Sequence, residues 1–447
     1  MTTTPDPHAL LDKLIRAALA AGADAADGLF VQSLSSSVSY RLGRLEDVER
    51  AESWDMGLRV FVGQQVAFVS STDLSARALS ELPERAVAMA KLAPEDKFAC
   101  LAPREWLAKE FPDLDTEDPG EPSTALLTER ARAIEGAAMA VPGITNSEGG
   151  GASFSRSRIA LATSEGFYGS YAATSHSVGV AVLAGEGTGM ERDYDGSSAR
   201  HAADLESPEA VGRRAGELTV ARLNSRTPKS QAVPVVYDPR VSAGLVGHFA
   251  GAISGASIAR GVSFLKDRMG AEVFAPSITI VDDPHRKRGL RSKPFDGEGV
   301  KNKRMALIEN GVLKTWLLDC ASGRQLGLPS TGHAARGTGG PPSPSTTNLY
   351  MEPGKHSPDE LIADIAQGIY VTELIGMGVN GVTGDYSRGA AGFWIENGKR
   401  SYPVSGLTIA GNLKDMYLRL TPANDLVFRY GTNAPTLRVE GMTVAGA

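Results

Sequence analysis

Seven histidines, His8, His176, His201, His248, His285, His333 and His356, are where a search for hydrolytic metal chemistry in this chain begins. None is followed by Glu, and no two lie within twenty residues of each other. No helix can therefore present a local histidine pair to zinc. The two cysteines, Cys100 and Cys320, stand too far apart for a C-x-x-C site. A hydrolytic site would have to be assembled from distant residues, and His248, His333 and Asp385 are the candidates. Other nucleophile patterns are equally thin. No G-x-S-x-G occurs, and "SFLK" offers S-x-x-K at Ser263 and Lys266 without a K-T-G partner.

The glycines raise a second possibility. "GMGVNGVTGDYSRGAAGFWIENGK" contains G-x-G-x-x-G at Gly376, Gly378 and Gly381. A dinucleotide site requires a strand before those glycines and a helix after them. "IYVTELI" can supply the strand, but "VTGDYSRGAAGFWIENG" cannot supply the helix. "GFWIENGKR" misses the phosphate-binding loop as well: five residues separate its glycines where the motif has four, and Arg400 replaces the magnesium-holding Ser or Thr. These glycines read as tight turns, with Asp385 and Arg388 free to pair with each other or with a peptide terminus.

One predicted helix, "GLVGHFAGAISGASIARG", places Gly247, Gly251 and Gly255 on one face beside His248. Each interior helix glycine costs roughly 0.5–1 kcal/mol relative to alanine. That cost implies a backbone or a partner surface in close approach.

With 447 residues, 42% hydrophobic and 22% charged, the chain has material for more than one core. Its net charge of -6 argues against nucleic acid as a partner. The N-terminus reads as an amphipathic helix over about 7–21 and not as a targeting signal. Val241–Ala259 carries no charge, but its four Gly and three Ser make a membrane span a poor reading. Widely separated cysteines and no signal pattern point to the cytosol.

Periodicity gives an α+β fold: N-terminal and middle α/β units with antiparallel sheets, and a large Gly-rich, mainly-β C-terminal domain. The boundaries are 1–93 for the first unit, 94–122 for a Pro-rich acidic linker, 123–230 for the middle unit and 231–447 for the last. The first unit has a second helix at about 73–93. The middle one ends in a helix at about 207–224, and the last contains a helix near 357–368. Asp113, Asp115, Glu117 and Asp118 in the linker read as solvated charges and not as a metal site.

Four stretches carry a resemblance: "LPSTGHAARG" (328–337), "GDYSRGAAGFWIENG" (384–398), "YPVSGLTIAGNLKDM" (402–416) and "APTLRVEGMTVAG" near the end. The chain resembles the TldD/PmbA metalloprotease family, more narrowly its TldE (PmbA) branch, along its whole length. The resemblance implies a cytosolic chain that pairs with a TldD-like subunit, whose helix carries H-E-x-x-x-H for zinc and whose C-terminal region adds a cysteine ligand. Unfolded or extended peptides would be the substrates, with peptide-antibiotic maturation and antitoxin turnover as settings.

This sequence departs from that pattern. Aligned one way, Phe249 follows His248 and Ile253 takes the second histidine's place; slid by one, Gly247 and Ala252 stand at the ligand positions. "FRYGTNAPTLRVEGM" has no cysteine. A hydrolytic zinc typically needs three protein ligands and an open position. The resemblance therefore implies a subunit without zinc of its own, with the metal in the partner. The chain would build the heterodimer, wall the chamber and hold peptide, with Gly247, His248, Gly251, Gly255, His333, Asp385 and Arg388 as chamber, peptide or partner contacts. Two alternatives stay open: a self-sufficient hydrolase built on His248, His333 and Asp385, and a homodimeric peptide-binding module without catalysis.

Overall fold

The computed structural model describes residues 6–446. Asp6 accepts the His8 N–H and caps helix α1 (Pro7–Ala20), whose stripe of Leu10, Leu11, Leu14, Ile15 and Ala18 is buried. Strands β1 (Ala25–Arg41), β2 (Arg44–Val62) and β3 (Gln65–Ser71) follow, then α2 (Ala76–Ala90), somewhat shorter than expected. The middle segment gives α3 (Thr124–Met139), β4 (Ile144–Thr163), β5 (Tyr168–Ala184), β6 (Glu191–Ala199) and α4 (Pro208–Ala221).

The first two units do not form separate sheets. They share one antiparallel sheet in the order β3-β2-β1-β4-β5-β6, joined where Asp27–Tyr40 of β1 pairs with Gly150–Thr163 of β4. Side chains alternate across a strand. Phe30 and Val38 accordingly turn to the face covered by α1, α2 and α3. Leu29 turns to the other face, where it meets Phe295 and Val300 of the C-terminal region.

Residues 94–122 are not the solvated linker their composition suggests. Ala102, Leu107, Ala108 and Leu114 are buried. Ala108 N–H donates to Gly299 O at 2.9 Å, and Thr174 N–H to Thr116 O at 2.9 Å. The prolines keep the strap extended, so its unpaired backbone groups bond to two different units. Its carboxylates do not converge: Asp115 binds Arg288 and His201, Glu117 binds Arg156, and Asp118 lies 3.1 Å from His176.

In the C-terminal region, β7 (Gln231–Tyr237) leads into α5 (Pro239–Ala252) and the short α6 (Gly255–Ala259). Later come β8 (Gln367–Ile375), β9 (Asp385–Glu396), β10 (Lys399–Asn412) and β11 (Leu437–Ala445). The order β10-β9-β8-β7-β11 closes into a barrel, because Thr408–Ala410 of β10 pairs with Thr443–Ala445 of β11. A smaller sheet built around Ile280–Asp282 and Leu349–Met351 packs beside it. The helix expected near 357–368 is only Pro358–Ile362. Gly368 then passes so close to Pro234 O that a Cβ would sit 2.9 Å away, and the chain has already entered β8. Among the described residues no helix is long and apolar enough to cross a membrane.

Charged groups lock the two halves together. Asp27 of β1 lies directly opposite Arg59 of β2, and both are buried. Arg59 Nε donates to Asp27 Oδ2 at 3.0 Å, and Arg336 Nη1 donates to Oδ1 at 2.8 Å. Glu298 stands 3.8 Å from Arg59 and accepts the Cys320 N–H at 2.8 Å. Burial alone would raise the Asp27 pKa, yet Arg336 and Arg59 hold it below the usual carboxylate range. Burial dominates at Glu298 and pushes its carboxyl up to about 7. Beside this lock, the Thr338 backbone crosses Gly57 so tightly that a Cβ there would lie 2.2 Å from Thr338 O.

Two tests follow from this junction. Gly57→Ala forces the crossing segments apart and should cost about 2–4 kcal/mol in urea unfolding; a neutral result would show that the crossing is not tight in solution. Glu298 binds its proton more strongly folded than unfolded, so stability falls as pH rises from about 4.5 to 7. Glu298→Gln removes that titration. The variant-minus-parent stability should therefore grow across this window, by up to about 3 kcal/mol, and level off above it. A difference independent of pH would contradict the shift.

Candidate functional site

Helix α5 starts at Asp238, whose carboxylate accepts the Arg240 N–H at 2.9 Å and the Tyr370 hydroxyl at 2.9 Å. Its inner face, Leu245, Val246 and Phe249, fills the barrel-side core, and Ala252 sits at the border between core and cleft. The Tyr417 hydroxyl donates to Leu245 O at 2.9 Å and fixes the helix height. The opposite face is bare. A Cβ built on Gly247 or Gly251 would meet nothing within 4 Å.

That bare face floors a cleft of about 370 Å³. Gly247, His248, Gly251 and Ala252 form the floor, Val262 and Phe264 one wall, and Met377, Val379 and Arg388 the other. The walls are tied by Phe264 N–H donating to Gly381 O at 3.1 Å. Met377 is 93% exposed at the rim. Arg388 shares a face of β9 with buried Tyr386, whose ring meets the His248 imidazole edge-on at 6.2 Å. Arg388 Nε reaches Ile375 O at 3.3 Å. Burial first, and then the Arg388 charge, lower the His248 pKa, so the imidazole is neutral at pH 7.

Four of the residues singled out in the sequence, Gly247, His248, Gly251 and Arg388, meet in this cleft. Three do not. Gly255 leaves α5 altogether: the helix ends at Ala252, and Gly255 opens α6 against Leu318 and Ser322. It alone of the three glycines meets the close contact expected of the series. Gly247 and Gly251 are bare because they face open space. His333 is buried in the smaller-sheet region, its Nε2 3.3 Å from Asp282 and its Nδ1 2.8 Å from Thr331 Oγ1.

Asp385 is exposed and does not pair with Arg388. An odd separation of three residues on β9 sends the two to opposite faces, and Asp385 instead accepts from Thr383 Oγ1 at 2.6 Å and Asn412 Nδ2 at 3.0 Å. The constellation His248, His333 and Asp385 is therefore not assembled. Among the described residues no group of three His, Cys, Asp or Glu side chains is placed to hold a metal ion. Ser263 is structural too: its hydroxyl donates to Ala252 O at 2.6 Å.

The glycine-rich stretch is a connection between strands. Gly376 and Gly384 adopt φ of +82° and +87° in the loop from β8 to β9, and Gly378 lies against Ser387 O. Asn397 and Gly398, both at positive φ, make the hairpin turn into β10. The "SRGAAGF" backbone is already paired with β10 on one side and with β8 and Gly378 on the other. It has no edge free to receive a peptide. Sequence reasoning missed Val262, Phe264, Met377 and Val379, which come from two separate loops and share no local pattern.

Matches to known proteins cover almost all of this architecture. Models described as PmbA/TldA metallopeptidase domain 1, central domain and C-terminal domain match residues 26–90, 117–223 and 230–446. Metalloprotease PmbA of Escherichia coli O157:H7 is 38% identical over 98% of this chain and 96% of its own. A Metalloprotease PmbA homolog of Haemophilus influenzae is 36% identical over 92% and 90%. A Metalloprotease TldD homolog of Buchnera aphidicola is 27% identical over 58% of each chain. Among solved structures, a Bacteroides thetaiotaomicron protein described as a candidate modulator of DNA gyrase superposes with a TM-score of 0.92 at 25% identity, covering 99% of this chain and 100% of that one. TldE from Thermococcus kodakarensis shares the fold, with a TM-score of 0.85 at 22% identity over 97% and 99%.

If the α5 face is open, Gly247→Ala and Gly251→Ala should each raise stability by about 0.5–1 kcal/mol, because alanine restricts the unfolded chain and meets no obstacle. Urea unfolding measures this. Destabilisation by either would reveal a surface packed against the helix.

Proposed function

Because this chain belongs to the PmbA/TldD metallopeptidase family, we propose that it is the subunit without zinc in a two-chain metalloprotease. It walls the chamber and holds extended peptide beside a TldD-like partner's metal, in the cytosol. The observation that carries this reading is the bare cleft face of α5. With His248 and Ile253 at the ligand positions, the second would be fully buried in the core and could not face the cleft with the first. With Gly247 and Ala252 there, both positions line the cleft, and neither carries a donor atom. In that register His248 takes the place of the glutamate that would activate water, and its imidazole is uncharged.

The walls suit a peptide. Val262, Phe264, Met377 and Val379 offer apolar contact without a shaped pocket for one side chain, a pattern that supports broad specificity for unfolded chains. Arg388 supplies the cation in the cleft, placed to receive a main-chain carbonyl or a terminal carboxylate. Nothing favours the self-sufficient hydrolase, since its three residues lie apart. Self-association in the partner's absence would use the same apolar rim.

Co-purification with a family member bearing H-E-x-x-x-H should give a complex that hydrolyses unfolded peptides. Metal analysis should find zinc only in the partner. Arg388→Ala should leave the complex intact and raise KM about tenfold, the worth of one charge-assisted hydrogen bond. Chelator-sensitive hydrolysis by this chain alone, or stoichiometric zinc bound to it, would refute the reading.

A further inference from the structure

A second cavity, remote in character from the α5 cleft, lies where β6 of the middle unit meets the C-terminal region. Its volume is about 310 Å³, and Arg200, Arg286, Lys287, Arg288 and Phe428 stand among its lining, with Asp204 the acidic member. The concentration of cations is unusual for a chain of net charge -6. Most of it comes from one stretch, "HRKRGLRSK", residues 285–293.

What distinguishes Arg200 and Arg286 is that neither makes an ion pair with a carboxylate among the described residues. Nearby guanidiniums are matched: Arg214 by Asp195 and Glu206, Arg222 by Glu191, Asp193 and Glu373, and Arg240 by Asp193. Arg288 is matched as well, and its pairing with Asp204 also occupies the cavity's carboxylate. Arg200, by contrast, donates to backbone carbonyls: Gly289 O at 3.2 Å, Thr174 O at 2.9 Å, and Leu290 O. Those three bonds engage Nε, Nη1 and Nη2 but bring no counter-charge to the guanidinium. Burial lowers the Arg200 pKa, as expected for a cation short of a counterion.

Arg286 has no carboxylate partner among the described residues. Its guanidinium carbon lies 3.5 Å from the centre of the Phe428 ring, a cation–π contact that restrains the side chain. Lys287 is exposed and makes no direct ion pair among the described residues, though its charge helps to lower the Asp115 pKa. Two guanidiniums without a carboxylate partner, from two chain segments, thus converge with Lys287 on a concavity of small-molecule size. Like charges gathered this way repel one another unless an anion completes the set.

We propose that this cavity binds a small, multiply charged oxyanion of the phosphate class, as the free ion or as the phosphate group of a small metabolite. Arg286 presents its planar fork to two of the oxygens, Lys287 closes over it as a mobile point charge, and Arg200 supplies field from below. Because the cavity joins β6 to the C-terminal region, occupancy would also tighten that junction. The proposal is independent of the proteolytic reading, and its test needs no partner subunit or activity.

Calorimetric titration of the full chain at low ionic strength, with inorganic phosphate in one arm and adenosine monophosphate in the other, tests it. Saturable binding is expected in at least one arm, weakening as sodium chloride is added. Arg286→Gln and Lys287→Gln should each weaken it about tenfold. Binding of both ligands with equal affinity identifies a bare oxyanion site; tighter binding of the monophosphate identifies a phosphorylated metabolite. Lys287 is exposed and makes no ion pair, so K287Q retains the fold, which an unchanged thermal melt verifies. Absence of saturable binding in both arms, or affinity unchanged in both variants, overturns the proposal.

Discussion

An aspartate without access to water sets the terms on which this chain can fold. Asp27 lies at the start of the sheet's central strand, and an ionised carboxylate buried there alone would cost several kcal/mol. Its cross-strand neighbour Arg59 answers part of that demand. The remainder is answered by Arg336, from the C-terminal region. The sheet therefore cannot complete its interior without a group synthesised some 300 residues later. Such a network adds little net stability over an apolar core of the same shape, but a wrong register would strand a buried charge. Here it acts as a key: it permits one docking of the C-terminal region on the sheet, and the Gly57 crossing allows the chains to approach closely enough for the key to turn.

That docking ties three successive family segments to one another. The strap over 94–122 threads between sheet and C-terminal region, bonding to both. The barrel adds a second rigid frame. Helix α5 leaves β7 directly, and its inner face is pinned by Tyr417, which stacks on Phe274 at 4.2 Å. A helix held so firmly on one side can leave the other side unfilled. The cleft is a consequence of this asymmetry, since its floor needs no packing to stay in place.

Much of the architecture was written in local patterns. The α1 stripe, the strands of both sheets and the turn at Asn397–Gly398 follow from residue spacing and from backbone angles that glycine and asparagine tolerate. Non-local pairing was not legible. Alternating strands cannot tell whether two units own two sheets or share one, because β1 and β4 are joined by hydrogen bonds between backbones that look alike in any sequence. Proline and acid in 94–122 read as a solvated linker, because composition is silent on whether an extended segment is wet or paired. For α5, glycine spacing predicted a special helical face, and the sign of its meaning was lost. A missing Cβ allows either a close neighbour or an empty space, and only the fold decides between them. Gly255 met the neighbour; Gly247 and Gly251 met the space. Four motifs whole in the sequence resembled one family, and that resemblance carried what spacing could not.

The electrostatics of the cleft bear on why an empty floor is useful. No carboxylate lines it, and Arg388 projects toward it beside a neutral imidazole. A divalent cation entering here would meet one lone pair and one positive charge in a partly desolvated space, where repulsion between charges is screened less than in water. The same field favours oxygen atoms carrying partial or full negative charge, which an extended peptide presents at every carbonyl and at its C-terminus. With glycine and alanine on the floor and an arginine in the wall, the cleft thus offers an anionic or carbonyl oxygen more than it offers a cation. The apolar walls contribute contact that is indifferent to sequence, and the arginine contributes direction. Apolar contact that ignores sequence, combined with one oriented cation, is the chemistry that the proposed role as a chamber wall would call for.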